Sequence, residues 1–284
     1  MLRERVAEDI FVFTSELYLQ VTASAIITPD GAAVVDTLPF PQETREMLQF
    51  INRRCPKGIR YIILTHHHTD HIYGACLLDG EVIAHERCQR ILQRDGDRIL
   101  KSDQAQNPEL AALWIRIPEL IFDRGSVSLH LGKKTITLFA TPGHTSDGIS
   151  AYIKEDKVLL AGDLIMPVPY IVGGDRHVMR ESLQKIAELQ LENVVQGHGE
   201  VLLRGEISES IETSLQYLDM IERKVKMRVD KGMPKSSLRK IHIESCHKSR
   251  IPLNGMTENL HQANLRYLYD LLRTGEGSEL ERTV

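Results

Sequence analysis

At 284 residues, with 42% hydrophobic and 26% charged side chains, the chain has the size and make-up of a globular protein able to bury a sizeable core. A formal net charge of -4 gives no overall positive field to recruit nucleic acid or an anionic membrane, and no apolar run approaches the roughly 18 residues of a membrane span. The first ten residues lack the apolar centre of a signal peptide, and Cys55, Cys76, Cys88 and Cys246 show no Cys-x-x-Cys spacing, so free thiols and a cytoplasmic location are expected.

The first 40 residues read as strands over 11–13, 17–28 and 32–35, with a turn at Pro29-Asp30-Gly31. Helical spacing of Met47, Leu48 and Ile51 predicts a helix over 41–52. Residues 61–64 are a short apolar run that suits a buried strand, and it ends at Thr65-His66-His67-His68-Thr69-Asp70-His71. A strand at 82–84 and helical residues to about 100 follow. Strands are then expected at 127–129, 135–139, 149–153 and 158–161, a helix at 181–189 and a strand at 193–195. Two sets of strands with helices between them suggest a sheet sandwich flanked by helices. Beyond it, Ile211, Leu215, Leu218, Val225 and Val229 form a helical stripe within 207–229, broken by Gly232 and Pro234. A shorter helix is expected near 238–245, and another over 258–272 capped by Thr257. The tail 276–284 reads as frayed. The division expected is a catalytic domain over 1–206 and a helical extension over 207–284.

In His66-x-His68-x-Asp70-His71, an extended loop would turn His66, His68 and Asp70 the same way, with His71 beside them and His67 facing away. Imidazoles and carboxylates are the usual donors to zinc and related ions. Four such groups in six positions are costly to bury without a cation. Three weaker elements follow at strand ends: Thr141-Pro142-Gly143-His144-Thr145, Ala161-Gly162-Asp163, and Val195-Gln196-Gly197-His198-Gly199, whose glycines permit close backbone approach. Together they supply seven donor-type groups from four strand ends. Cys76, five residues past His71, reads as packing.

This ordered set resembles the metal-binding signature of the metallo-β-lactamase superfamily, over roughly residues 10–200. The resemblance implies an αββα sandwich with the metals at one edge between the sheets. It implies one site of His66, His68 and His144, a second of Asp70, His71 and His198, and Asp163 bridging them. Asp36, in Val34-Val35-Asp36-Thr37, matches an early aspartate that supports the metal loop from behind the donors. Gln196 departs from the family's usual proline, which should alter loop rigidity more than ligation.

The expected cofactor is zinc, two ions per chain, with iron or manganese left open. A hydroxide held between the ions would be the nucleophile, with Asp70 as catalytic residue orienting it or passing a proton to the leaving group. The expected substrate is a small molecule with a carboxylic ester, thioester or lactone bond. Phosphodiester cleavage, β-lactamase-like activity and a mononuclear iron oxidoreductase of the persulfide dioxygenase type stay open as alternatives, as does a homodimer. The slightly acidic charge and the short His144–Asp163 spacing argue against a nuclease, no flavodoxin-like domain is expected, and 264–267 does not match the basic glutathione-binding motif of hydroxyacylglutathione hydrolases. Residues 166–174, Trp114 and residues 118–122 are expected to wall a mostly apolar pocket that favours a neutral substrate. Tyr170 is a candidate substrate donor. The basic stretch from Arg223 to Arg250 reads as the solvated face of a helix, with an anion site as the alternative.

Overall fold

The computed structural model describes residues 1–274; the expectation for the tail 276–284 lies outside them. Among the described residues, thirteen strands form two mixed sheets. The first runs in the order β1 (Leu2–Ala7), β2 (Ile10–Thr14), β3 (Thr22–Thr28), β4 (Gly31–Val35), β5 (Ile59–Ile63), β6 (Glu81–His85), β7 (Leu120–Phe122). The second contains β8 (Ser126–Leu131), β9 (Lys134–Ala140), β10 (Ile149–Ile153), β11 (Val158–Leu160), β12 (Asn193–Val195) and β13 (Leu202–Leu203), paired in reverse order from β13 to β8. Strands β4 to β7 pair in parallel, as do β11 and β12; the other pairs are antiparallel.

Strand alternation sorts side chains between two cores. Ala33 and Val35 of β4 and Ile63 of β5 face Ile136, Leu138, Ile149 and Ala151 of the second sheet, forming the layer between the sheets. Ala32, Val34 and Ile62, one step out of phase, face α1 (Pro41–Arg54), whose Met47, Phe50 and Ile51 cover the first sheet. The four-residue turn α2 (Thr69–Ile72), α3 (Glu86–Ile91) and α4 (Asp97–Gln106) lie in the same half of the chain; a π-helical turn over Leu92–Gly96 joins the last two. On the second sheet's outer face, Leu159 and Val194 share a core with α5 (Arg176–Ala187), α6 (Arg204–Asp230) and α7 (Thr257–Thr274). The result is the expected αββα sandwich with added C-terminal helices. Among the described residues, no helix is long and apolar enough to cross a membrane.

Several local expectations differ from the structure. The strand expected over 17–28 begins at Thr22, and residues 15–21 form a loop instead. The helix expected over 181–189 starts at Arg176, because the Asp175 carboxylate accepts from His177 N at 2.7 Å and Val178 N at 3.2 Å and caps it there. Residues 238–245 form two short 3-10 turns, Lys235–Lys240 and Ile243–Cys246, separated by extended backbone at Ile241 and His242. Thr257 does not cap α7: its hydroxyl is buried without a hydrogen-bond partner. Helix α6 begins at Arg204, three residues before the helical stripe read from Ile207. Residues 118–122 do not line the cavity at the cluster described below; Leu120–Phe122 form the edge strand β7, with Leu120 and Ile121 exposed.

Candidate metal centre

Four strand ends meet at one edge of the sandwich. β5 delivers Thr65 to His68, β9 leads to the turn carrying His144, β11 to the turn carrying Asp163, and β12 to His198. Ile149 N donates to the Thr65 carbonyl at 2.8 Å, tying the two sheets together behind this edge. The structure brings all seven expected donors together in two groups: His66, His68, His144 and Asp163, and Asp70, His71 and His198. Within each group, one donor atom per residue lies within 4.8 Å of the others. Asp163 adjoins both groups. Its Oδ2 is 3.2 Å from His144 Nε2 and its Oδ1 is 3.2 Å from His71 Nε2. His198 Nε2 lies 3.2 Å from Asp70 Oδ2. Donors bound at about 2.0–2.1 Å in tetrahedral array stand roughly 3.3 Å apart, which is the spacing here.

The 66–71 loop is not extended as a whole: the chain bends at 65–67 and is extended at His68. From Thr69 the chain turns into α2, so Asp70 and His71 reach the site from a helical turn rather than by alternation. His67 points away from the donors, as expected, and its Nδ1 donates to Asp147 Oδ1 at 2.8 Å.

The imidazoles are aimed by what holds their other nitrogen. His71 Nδ1 donates to Asp36 Oδ2 at 2.8 Å, His144 Nδ1 to the Tyr170 carbonyl at 2.8 Å, and His198 Nδ1 to the Leu19 carbonyl at 3.0 Å. The Thr65 hydroxyl donates to Asp36 at 2.8 Å, so its oxygen accepts from His66 Nδ1 at 3.0 Å. Each of these four rings therefore presents an unprotonated Nε2 to the centre when neutral. His68 faces inward by its other edge, with Nδ1 3.0 Å from His144 Nε2. Asp36, at a left-handed φ of 59°, also accepts from Thr65 N, and so positions both the loop and two of its donors.

Three buried atoms of this cluster, His66 Nε2, His71 Nε2 and Asp163 Oδ1, make no hydrogen bond. Leaving such groups unpaired costs roughly 1–3 kcal/mol each. A divalent cation supplies the missing partner, so the residues present fit the metal that the resemblance implies.

The charges agree. Burial lowers His66 and His144 and holds His68 at about 3. Burial acts the same way on His71 and His198, but Asp163 and Asp70 outweigh it, raising His71 and lifting His198 to about 10. Burial alone would push both carboxyls up; facing His71 and His198 instead keep Asp70 at about 2 and Asp163 well below the usual range.

Local sequence permits this crowding. A Cβ on Gly197 would stand 1.9 Å from Asp163 Oδ1, so only glycine lets the His198 turn approach the carboxylate. Gln196, the departure from the family pattern, is buried and clasps this turn by donating from Nε2 to the Glu200 carbonyl at 2.7 Å.

A cavity of about 290 Å³ opens on the cluster, with His67, His68 and His144 at its base. Its composition corrects the sequence expectation. Met166 and Val168 are buried and Trp114 is exposed, so of these segments only Val172 and Gly173 reach the cavity. The other wall carries the charged side chains Arg87, Arg94 and Asp95 beside Ile91 and Ile99. Tyr170 contributes its carbonyl to His144, and its ring centroid lies 5.9 Å from that imidazole. Asp147 was not anticipated; the signal available was its place in the turn that carries His144. No pattern singled out Arg87.

The chain is 26% identical over 168 residues to a beta-lactamase-like protein 2 homolog of Caenorhabditis elegans, covering 59% of this chain and 50% of that one. It is 29% identical over 130 residues to a hydroxyacylglutathione hydrolase of Rhodopseudomonas palustris, covering 45% of this chain and 43% of that one. The chain thus spans about half the length of the curated relatives it matches. Among solved structures, a metallo-beta-lactamase from Pontibacter korlensis shares the fold, with a TM-score of 0.61 at 18% identity over 76% of this chain and 98% of that one. The sequence profile of the Metallo-beta-lactamase superfamily matches residues 18–198, a span that includes all seven donors, and the chain belongs to that superfamily.

Proposed function

We propose that the chain is a dinuclear zinc hydrolase of a carboxylic ester, thioester or lactone. The observation that carries this reading is Asp163, whose carboxylate lies between the two donor groups, 3.2 Å from His144 of one and 3.2 Å from His71 of the other. Histidine and carboxylate donors suit zinc. Two divalent ions bound there would lower the pKa of water and polarise a substrate carbonyl. The chain's own part is to aim and to move protons. Asp36, the Tyr170 carbonyl and the Leu19 carbonyl fix the ring orientations. Asp70, with 15% of its side chain exposed against 5% for Asp163, is the carboxylate placed to take a proton from water and pass it to the leaving group. A hydroxyacylglutathione hydrolase among the relatives supports an acyl substrate.

The test is elemental analysis of purified protein together with a panel of esters, thioesters, lactones and bis-4-nitrophenyl phosphate. Two zinc ions per chain with cleavage of an acyl bond is expected. One iron per chain with oxygen uptake, or phosphodiester cleavage without acyl cleavage, overturns the reading.

A further inference from the structure

We propose that Arg87 determines specificity at this centre by receiving an anionic group, a carboxylate or a phosphate, on the substrate. The inference rests on the hydrolase reading above and adds a substrate class to it.

The cavity that opens on the metal cluster has one helical wall. Arg87, Ile91, Asp95 and Ile99 follow at steps of four through α3, the π-helical turn and the start of α4, so one continuous face lines the cavity. Arg94 is on this wall too, but its charge is answered locally: Nε donates to Asp95 at 2.7 Å, and Asp95 also accepts from Arg98 at 3.1 Å. Arg87 differs. Its side chain is exposed at the cavity, and among the described residues its guanidinium makes no hydrogen bond and no ion pair. The acids nearby are engaged elsewhere. Glu86 pairs with Arg90, and Asp147 holds His67. A guanidinium presents a planar fork that matches a carboxylate or phosphate with two parallel hydrogen bonds. Ile91, Ile99 and Val172 line the same cavity and suit an alkyl linker. A substrate that fits all of these has its scissile acyl group at the histidine base, an apolar stretch, and an anion at Arg87.

The test measures binding, so it needs no turnover. Metal-loaded protein is titrated calorimetrically with acids of matched length carrying one or two carboxylates: pentanoate against glutarate, hexanoate against adipate, heptanoate against pimelate. One carboxylate anchors at the metal centre, as a product acid does, and the second probes for Arg87. At one length the dianion should bind at least tenfold tighter. Arg87→Ala should bring that ratio below twofold, Arg87→Lys should keep part of it, and Arg90→Ala on the same helix should keep it whole. A parallel series of ω-phosphonocarboxylates tells the two anion sources apart: tighter binding than the dicarboxylates favours phosphate, and weaker binding favours carboxylate. A ratio near one at every length, or a ratio that survives Arg87→Ala, overturns the proposal. An Arg87-dependent ratio in a protein that cleaves no ester, thioester or lactone overturns the hydrolase reading alone; acyl cleavage with a ratio near one overturns this inference alone.

Discussion

His71 Nδ1 donates to Asp36 Oδ2 across 2.8 Å, and both side chains are buried. Asp36 lies outside the donor set, yet it sets which nitrogen His71 presents and, through Thr65, the orientation of His66. Removing such a partner usually weakens metal affinity 10–100-fold, that is by roughly one to two orders of magnitude. Asp36→Ala should therefore lower zinc affinity by about that factor in competition with a chromophoric chelator, and Asp36→Asn, which keeps an acceptor, by less. Unchanged affinity in Asp36→Ala would remove it from this role.

Asp163→Asn should lose metal and activity together. The amide keeps the shape but withdraws the negative charge that faces both donor groups, each 3.2 Å away. Metal content measured by mass spectrometry should fall below one ion per chain. Full occupancy with full activity would place the shared position elsewhere.

His67→Ala should retain metal where His66→Ala and His68→Ala do not, because His67 Nδ1 is spent on Asp147 rather than on the centre. It should nonetheless lower the melting temperature, since Asp147 is wholly buried and loses its partner. The pH dependence has a definite sign. Burial raises the Asp147 pKa, but His67 outweighs it, so the folded value lies below the ordinary one. Its contribution is whole above roughly pH 4 and is lost as pH falls through the folded value. With metal chelated from both proteins, acid unfolding of His67→Ala should be less steep than that of the parent. Parallel acid limbs would contradict the assignment.

Gly197→Ala should weaken metal binding although residue 197 donates nothing, because its Cβ collides with Asp163 Oδ1. Overpacking of this kind costs roughly 1–3 kcal/mol. Gly205→Ala is the control. A Cβ there meets nothing within 4 Å, and the residue lies in α6, so the change should leave metal affinity alone and stabilise slightly. Equal effects on metal affinity would show that the collision is not the cause.

Lys248 bonds to the Ser210 carbonyl and the Thr213 and Ser214 hydroxyls with no carboxylate among these partners, and burial lowers its pKa to about 8. The unfolded chain therefore binds the proton more tightly, and the penalty for the buried charge is relieved as pH rises from about 8 to roughly 10.4. Urea denaturation should show stability rising over this window in the parent and flat in Lys248→Met. A parent profile that falls or stays level there would show that the ammonium is adequately stabilised.

The donors were legible because each sits where an apolar run stops, at Leu64, Ala140, Ala161 and Val195, and strand ends converge when strands share a sandwich. Asp70 and His71 do cluster with His198, but by a route that a two-residue alternation cannot foresee, the α2 turn. β1 was hidden by Arg3, Glu4 and Arg5: it is an exposed edge strand, and charge on an edge masks the usual strand pattern. The pocket was misread for a different reason. Val168 reads equally well as pocket wall or as core, and only its packing with α5 and α6 decides for core. Asp147 pairs with His67, 80 residues earlier, and Arg87 shares a cavity with His144 and Val172, partners that no local pattern reveals.

The Leu19 carbonyl that receives His198, together with the pairing of Val21 with His198 and of Thr22 N with the Gly197 carbonyl at 2.8 Å, has a consequence during synthesis. The loop over 15–21 is anchored by a turn made 179 residues later in the chain. The nascent chain displays His66, His68, Asp70 and His71 to solvent long before His144, Asp163 and His198 exist. Until the second sheet is complete, those four can hold a cation only loosely, and contacts of such long sequence separation form slowly. Full capture of metal and closure of the N-terminal loop thus become one late event, and a nascent chain stalled before residue 198 has neither.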